Sequence, residues 1–253
     1  MLILSIDTSL KTCGTSVIDG NSVLAEQRIE ANSGHGSHLF PLIKKSMSQA
    51  HVSFDKLEGI AVTLGPGSFT GLRVGLMTAK TLGYLNKIPI WGVTTLESLA
   101  YPVRAEATLI CTMLDALRGD VYLAVFHSNQ GNLELLSEVK LVTLGEAISE
   151  LEIILKDENM PCVFVGNTIK EHKLLIKTEL EKTIQTSLIF PLDDFHQISP
   201  VAVAELAQNK HDNGDPTGLD ALDVQPLYIR RPEAEIVYER KQLESLIKNS
   251  TSK

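Results

Sequence analysis

The sequence predicts an α/β fold built from two similar halves that meet near residue 105. Three observations carry this expectation. Apolar runs of strand length alternate with longer segments of helical period. The order strand-strand-strand-helix-strand-helix-strand-helix occurs in residues 1–105 and again in residues 106–230. The first strand of each half ends in an aspartate, Asp7 and Asp115. The match is one of element order, with no residue-level repeat. A chain of 253 residues accommodates one large domain or two compact ones.

In the first half, Leu2–Asp7 is a short apolar run bounded by polar residues and reads as a buried strand. Cys13–Ile18 and Val23–Ile29 read as the next two strands. They are joined by Asp19-Gly20-Asn21, where Gly and Asn tolerate positive φ. His38–Ala50 carries Leu39, Leu42, Ile43, Met47 and Ala50 at helical spacing, with Pro41 near its first turn. Gly59–Leu64 reads as a strand, Phe69–Leu85 as a helix, Pro89–Val93 as a strand and Thr94–Ala100 as a short helix.

The second half opens with a strand from Thr108 to Leu114. Asp120–Phe126 and Glu134–Val142 follow as strands, joined by turns at Arg118-Gly119 and Asn129-Gln130-Gly131. Leu144–Leu155 reads as a helix, Cys162–Val165 as a strand and Ile169–Leu180 as a helix. Ser187–Phe190 and Pro200–Gln208 complete the series as strand and helix. Asp212–Pro216 is polar and turn-rich, and Ala221–Tyr228 reads as a short extended piece. A tail, residues 231–253, is expected to be partly disordered.

Composition narrows the function classes. Hydrophobic residues are 43% and charged residues 21%, an ordinary globular mixture that argues against a disordered chain, a fibre or a membrane protein. The net charge of −8 gives a field that repels nucleic acid. The notable basic stretch, Arg230, Arg231, Arg240 and Lys241, is diluted by Glu233, Glu235 and Glu239. Cys13, Cys111 and Cys162 are isolated, which disfavours a disulfide framework or thiolate zinc site and suits a reducing compartment. No signal segment or membrane span is visible, so a cytoplasmic location is expected.

Two segments stand out. Leu64-Gly65-Pro66-Gly67-Ser68-Phe69-Thr70-Gly71-Leu72-Arg73-Val74-Gly75 follows a strand and opens a helix. Its glycines allow sharp turns and close backbone approach, and the helix presents free N–H groups. It is neither a Walker A loop nor a GxGxxG fingerprint. Along the helix, Gly71, Gly75, Ala79 and Gly83 recur every four residues and form a seam without bulky side chains. Packing on the chain's own sheet and contact with a partner helix both account for such a seam, and the sequence leaves both open.

Strand ends supply the other candidates. Asp7 with Thr8 and Ser9, and Asp115 with Arg118, sit where a nucleotide or Mg²⁺ would bind between lobes. Turn and cap chemistry accounts for the same residues. His35 and His38 form the one close histidine pair, and no two histidines stand four apart. Neither is assigned to a metal, and no nucleophile–base set emerges from spacing.

Taken together, certain segments resemble the TsaB family, also called YeaZ. They are Leu4–Ser9, His38–Ile43, the Gly65–Gly75 block, Leu114–Tyr122 and Tyr228-Ile229-Arg230-Arg231-Pro232, in the right order along essentially the whole chain. The resemblance implies an actin/Hsp70-like fold of two ribonuclease-H-like lobes. It implies a role in installing threonylcarbamoyl on adenosine 37 of tRNA, as a non-catalytic partner of the transferase TsaD. That relative holds its metal partly through a His-x-x-x-His pair, which this sequence lacks.

The implied partners are TsaD, the ATPase TsaE docked on that pair, and a second copy of this chain when TsaD is absent. tRNA is met only through the complex, and no membrane is involved. No resident cofactor is implied; ATP or ADP at the complex interface is the nucleotide left open. The family pairs through the first two helices, which favours the partner reading of the seam. The interface candidates are therefore Leu39, Leu42, Ile43, Gly71, Leu72, Gly75, Leu76, Ala79, Leu82 and Gly83. Two rival readings are an autonomous actin-like ATP-using enzyme, with Asp7 and Asp115 near the phosphates, and a metallopeptidase, against which the missing zincin pattern argues.

Overall fold

A computed structural model describes residues 1–31, 34–214 and 218–230. The tail expected from 231 onward lies outside them, as do Arg231, Arg240 and Lys241 of the basic stretch. Two sheets form the frame. The first has the order β3-β2-β1-β4-β5, from β1 (Leu2–Asp7), β2 (Thr12–Asp19), β3 (Ser22–Glu30), β4 (Gly59–Gly65) and β5 (Ile90–Thr94). The second has the order β11-β10-β6-β7-β8, with β9 also on β7. Its strands are β6 (Leu109–Asp115), β7 (Asp120–Asn129), β8 (Asn132–Leu135), β9 (Lys140–Thr143), β10 (Cys162–Val165) and β11 (Leu188–Ile189).

The duplication expected from element order extends to topology. In each sheet the first strand, β1 or β6, pairs antiparallel with the second, β2 or β7, and parallel with the strand that follows the next α-helix, β4 or β10. Three local expectations change. The single strand expected over Glu134–Val142 is two short ones, because β7 is ten residues long and offers one edge to both. β8 pairs with the Phe126–Asn129 end and β9 with the Asp120–Leu123 end, and the chain leaves the sheet between them at Ser137-Glu138. The first helix, α1 (His35–Gln49), starts three residues earlier than periodicity suggests, led in by Gly34 at φ 81°. Ala221–Tyr228 forms no strand; Pro226 removes a ladder donor from its middle.

Helices cover the sheets in layers. On one face of the first sheet, α1 and α2 (Phe69–Asn86) bury Leu39, Ile43, Met47, Leu76 and Ala79 against Leu4, Ile6, Val17 and Val62. Between the sheets, α3 (Thr95–Ala100) and α6 (Pro200–Asp212) join Ile3, Trp91, Val93, Ile110, Tyr122 and Val163 in a shared core. Helices α4 (Leu144–Glu158) and α5 (Asn167–Leu180) close the far face of the second sheet.

Although α6 follows the second sheet in sequence, it lies against β1 and β2. Two buried hydroxyls fix it there. The carbonyl oxygen of Pro200 accepts from Ser5 Oγ at 2.7 Å and Ser16 Oγ at 3.0 Å. Gly14 makes room, since a Cβ there would stand 2.5 Å from the Pro200 ring. All three cysteines are buried and free, and burial pushes the Cys13 and Cys162 thiols up to about 12.

The small-residue seam of α2 faces this chain's own sheet, which corrects the partner reading given to it. Gly71 packs on the Thr8 carbonyl, Gly75 on the Thr8 hydroxyl and Ile6, and Gly83 on Ile90. Ala79 is fully buried in the core beside them. The glycines let α2 approach the end of β1 more closely than any side chain permits. Ala79→Leu is therefore expected to lower the stability of the isolated chain by about 1–3 kcal/mol, the usual cost of overpacking. Thermal unfolding of the monomer checks this; an unchanged midpoint would place Ala79 at a surface.

Candidate functional site

The end of β1 and the loop that opens α2 form one closed unit. Asp7 is buried, and its Oδ1 accepts from the Ser9 N–H at 3.0 Å, Ser9 Oγ at 2.6 Å and Thr63 Oγ1 at 2.8 Å. Thr8 Oγ1 donates to the Gly71 carbonyl at 2.7 Å. The Ser68 N–H donates to the Ser9 carbonyl at 2.7 Å, while Ser68 Oγ caps α2 by accepting from the Gly71 N–H at 3.2 Å. Gly67 lies so close on Ser9 that any Cβ would collide with its carbonyl. The Gly-rich loop thus spends its freedom on the β1 terminus, and Asp7, Thr8 and Ser9 all have partners inside the fold.

Asp115 occupies the matching place at the end of β6, but it is exposed. Its Oδ1 accepts from the Leu117 N–H at 2.8 Å, and its own N–H donates to Asn167 Oδ1 at 3.0 Å. The two aspartates have no bonding partner in common and differ in burial. Among the described residues, no group of three or more His, Cys, Asp or Glu side chains is arranged to hold a metal ion. His35 Nε2 lies 2.9 Å from the Leu10 carbonyl, and His38 is exposed at the start of α1.

Burial raises the Asp7 carboxyl above its ordinary value, against the lowering effect of the Ser9 and Thr63 hydrogen bonds. A raised folded-state value means that the native chain holds a proton that the unfolded chain has released. Stability from this group is therefore present at low pH and is lost as pH climbs from the unfolded carboxylate value toward the folded one. Asp7→Asn keeps an oxygen acceptor for Ser9 and Thr63 without the charge. It is expected to raise the melting temperature at pH 7 and to flatten the decline above about pH 4. Melting curves of both proteins between pH 4 and 8 test this; a lower melting temperature for Asp7→Asn throughout would refute it.

The interface candidates divide by exposure. Leu39, Leu42, Ile43, Gly71, Leu72, Gly75, Leu76, Ala79 and Gly83 are buried in this chain, leaving Leu82 half-buried. Their burial leaves the nine little side-chain surface to offer a partner. The exposed face of the same two helices carries residues that the sequence reading missed. Phe40 is 53% exposed, Met77 61%, Tyr84 67% and Leu85 69%. Phe40, Met77, Thr78, Thr81 and Leu82 line a shallow depression of about 290 Å³ between α1 and α2. The available signal was that α2 is apolar on more than its sheet-facing stripe.

A second cluster joins two motifs distant in sequence. The Arg73 guanidinium lies 3.9 Å from the centroid of the Phe69 ring, and its Nε donates to Tyr228 Oη at 3.0 Å. Phe69 and Tyr228 are tilted rings with centroids 5.1 Å apart. The Gly65–Gly75 block and the Tyr228 segment, named separately as points of resemblance, are physically one contact.

The family model described as TsaD, tRNA N6-adenosine threonylcarbamoyltransferase, matches residues 24–238. The tRNA threonylcarbamoyladenosine biosynthesis protein TsaB of Bacillus subtilis (strain 168) is 31% identical over 235 residues, covering 93% of this chain and 96% of that protein. TsaB of Escherichia coli (strain K12) is 28% identical over 152 residues, 59% of this chain and 65% of that one. Among solved structures, YeaZ from Pseudomonas aeruginosa superposes with TM-score 0.71 at 19% identity, covering 90% of this chain and 99% of that one. An ROK hexokinase from Thermus thermophilus superposes with TM-score 0.54 at 12% identity, covering 85% and 100%, so the likeness is one of fold alone. The fold is the two-sheet, actin-like one that the resemblance implied. On its identity to the Bacillus subtilis protein along nearly its full length, the chain belongs to the TsaB (YeaZ) family.

Proposed function

We propose that this chain acts in tRNA threonylcarbamoyladenosine biosynthesis as a non-catalytic subunit that pairs with TsaD. We assign the pairing to the lobe of residues 1–105, with 106–230 as the second lobe. The observation that carries the reading is the exposed apolar face of α1 and α2. Aromatic residues and Met are the types enriched at protein interfaces, and Phe40, Met77 and Tyr84 supply them on adjacent helices. The same face suits a second copy of this chain when TsaD is absent; when TsaD is present, TsaE would dock on the pair that the two form. The proposed interface has moved outward from the buried seam, by one side of the same helices.

The non-catalytic part rests on what the candidate groups are doing. The Asp7 oxygen and the Thr8 hydroxyl are engaged within the fold, and the sequence has no two histidines four apart. A fold shared with a hexokinase does not by itself imply kinase chemistry. Charge supports contact with tRNA through the complex, since the chain alone carries −8.

The test is reconstitution with the cognate TsaD, TsaE, tRNA and the threonylcarbamoyl donor system, with and without this chain. Modification should depend on the chain, and the chain without TsaD should yield no product. Met77→Glu places a charge in the face while leaving the core intact. It is expected to weaken pairing with TsaD at least tenfold, by calorimetry or sedimentation, with the melting temperature nearly unchanged. Normal pairing by Met77→Glu and Tyr84→Ala together would remove this face from the interface.

A further inference from the structure

Residues 218–230 run across the molecule without regular structure, yet they are fastened throughout. Leu219 and Ile90 exchange backbone hydrogen bonds at 2.8 and 3.0 Å. Lys80 Nζ, on α2, donates to the carbonyls of Leu222 at 3.2 Å and Val224 at 3.0 Å. The Leu227 N–H donates to the Leu64 carbonyl at 2.8 Å, and the Leu227 carbonyl fills the space where a Gly65 side chain would stand. Tyr228 then joins Phe69 and Arg73. Every anchor to this point belongs to the first sheet or to α2. Arg230 breaks the pattern, because its guanidinium pairs with Asp120 at the start of β7 in the second sheet.

Asp120 closes a turn that needs fastening. Its N–H donates to the Leu117 carbonyl at 3.2 Å, and its carbonyl accepts from the Ala116 N–H at 2.9 Å. Leu117 and Arg118 both stand at φ 63°, a left-handed conformation that side chains other than glycine rarely adopt. Two such residues in a row persist only where surrounding contacts hold them. Asp115 supplies one, through the Leu117 N–H, and the Arg230–Asp120 pair supplies another from outside the turn.

We propose that residues 218–230 form a strap that couples the β6–β7 turn to the N-terminal end of α2, with Arg230–Asp120 as its latch. The strap makes the turn and the Gly-rich loop move as one although they belong to different sheets. The inference goes beyond the partner reading and stands whether or not TsaD binds this chain.

Amide hydrogen exchange on the full chain tests it, with three variants: Arg230→Gln, Asp120→Asn and the exchange pair Asp120→Arg with Arg230→Asp. The amides of Leu227, Ala116 and Asp120 report on the two ends, and Cys162, whose N–H bonds to Ser187 in the second sheet, reports on global stability. Asp120→Asn is expected to speed exchange at Leu227, and Arg230→Gln at Ala116, by about two- to fivefold, the reach of a partly exposed ion pair. Cys162 should not change, and the charge-exchanged double variant should recover part of the protection. Tyr228→Leu, which removes the Arg73 bond, should also speed exchange at Ala116. If Asp120→Asn changes only the turn and Arg230→Gln changes only the strap, the coupling is overturned. If neither single variant changes exchange, the latch itself is overturned.

Discussion

The contact between α2 and the end of β1 governs the arrangement of this molecule. Gly67 and Gly71 lie on the backbone of Ser9 and Thr8, and Gly75 meets the Thr8 hydroxyl. Backbone-to-backbone approach of this kind leaves no space for a side chain at Gly67 or Gly71. It also sets the depth of α2 on the sheet, and hence which of its residues remain outside. Glycine in a helix interior costs roughly 1 kcal/mol relative to alanine. The seam offsets that cost by burying Leu72, Leu76 and Ala79 in the core.

The two halves share a topology but not a fate. In the first, the helices over the outer face of the sheet present Phe40, Met77 and Tyr84 to solvent. In the second, α4 carries a full capping box at Thr143 and Glu146 and is edged by exposed ion pairs, such as Lys156 with Glu152. Such pairs add little stability each, and the outer helices of this half also leave Ile153 and Leu174 exposed. The core between the sheets is common property, and α6 is given over to it. Its serine-bound N-terminus means that the first sheet is completed by a segment from the far end of the chain.

Much of this was legible in the sequence, for reasons that lie in period and punctuation. β1, β4, β6 and β10 are short apolar runs bounded by polar, Gly or Pro residues, and Thr94 and Ser199 stand as caps where their helices begin. The misreadings have physical causes too. Every-fourth small residues look alike whether the backbone that they approach is a strand terminus or a foreign helix, so the seam was assigned to the wrong neighbour. Asp7 and Asp115 match in sequence position but differ in burial, and only tertiary structure sets burial. The link from Arg73 to Tyr228 was invisible because nothing in periodicity joins residues so far apart along the chain.

The buried cysteines have a practical consequence. Burial raises all three thiols, Cys13 and Cys162 to about 12, which disfavours thiolate at neutral pH. Thiolate is the species that alkylating reagents and maleimide dyes attack. Burial and raised thiol values together protect all 3 cysteines from them in the folded chain. A single cysteine placed on the outer face of α2 becomes an addressable point on an otherwise unreactive molecule, with no need to remove the natural ones. The same burial makes the three thiols a built-in reporter of unfolding, since they gain reactivity when the sheets part.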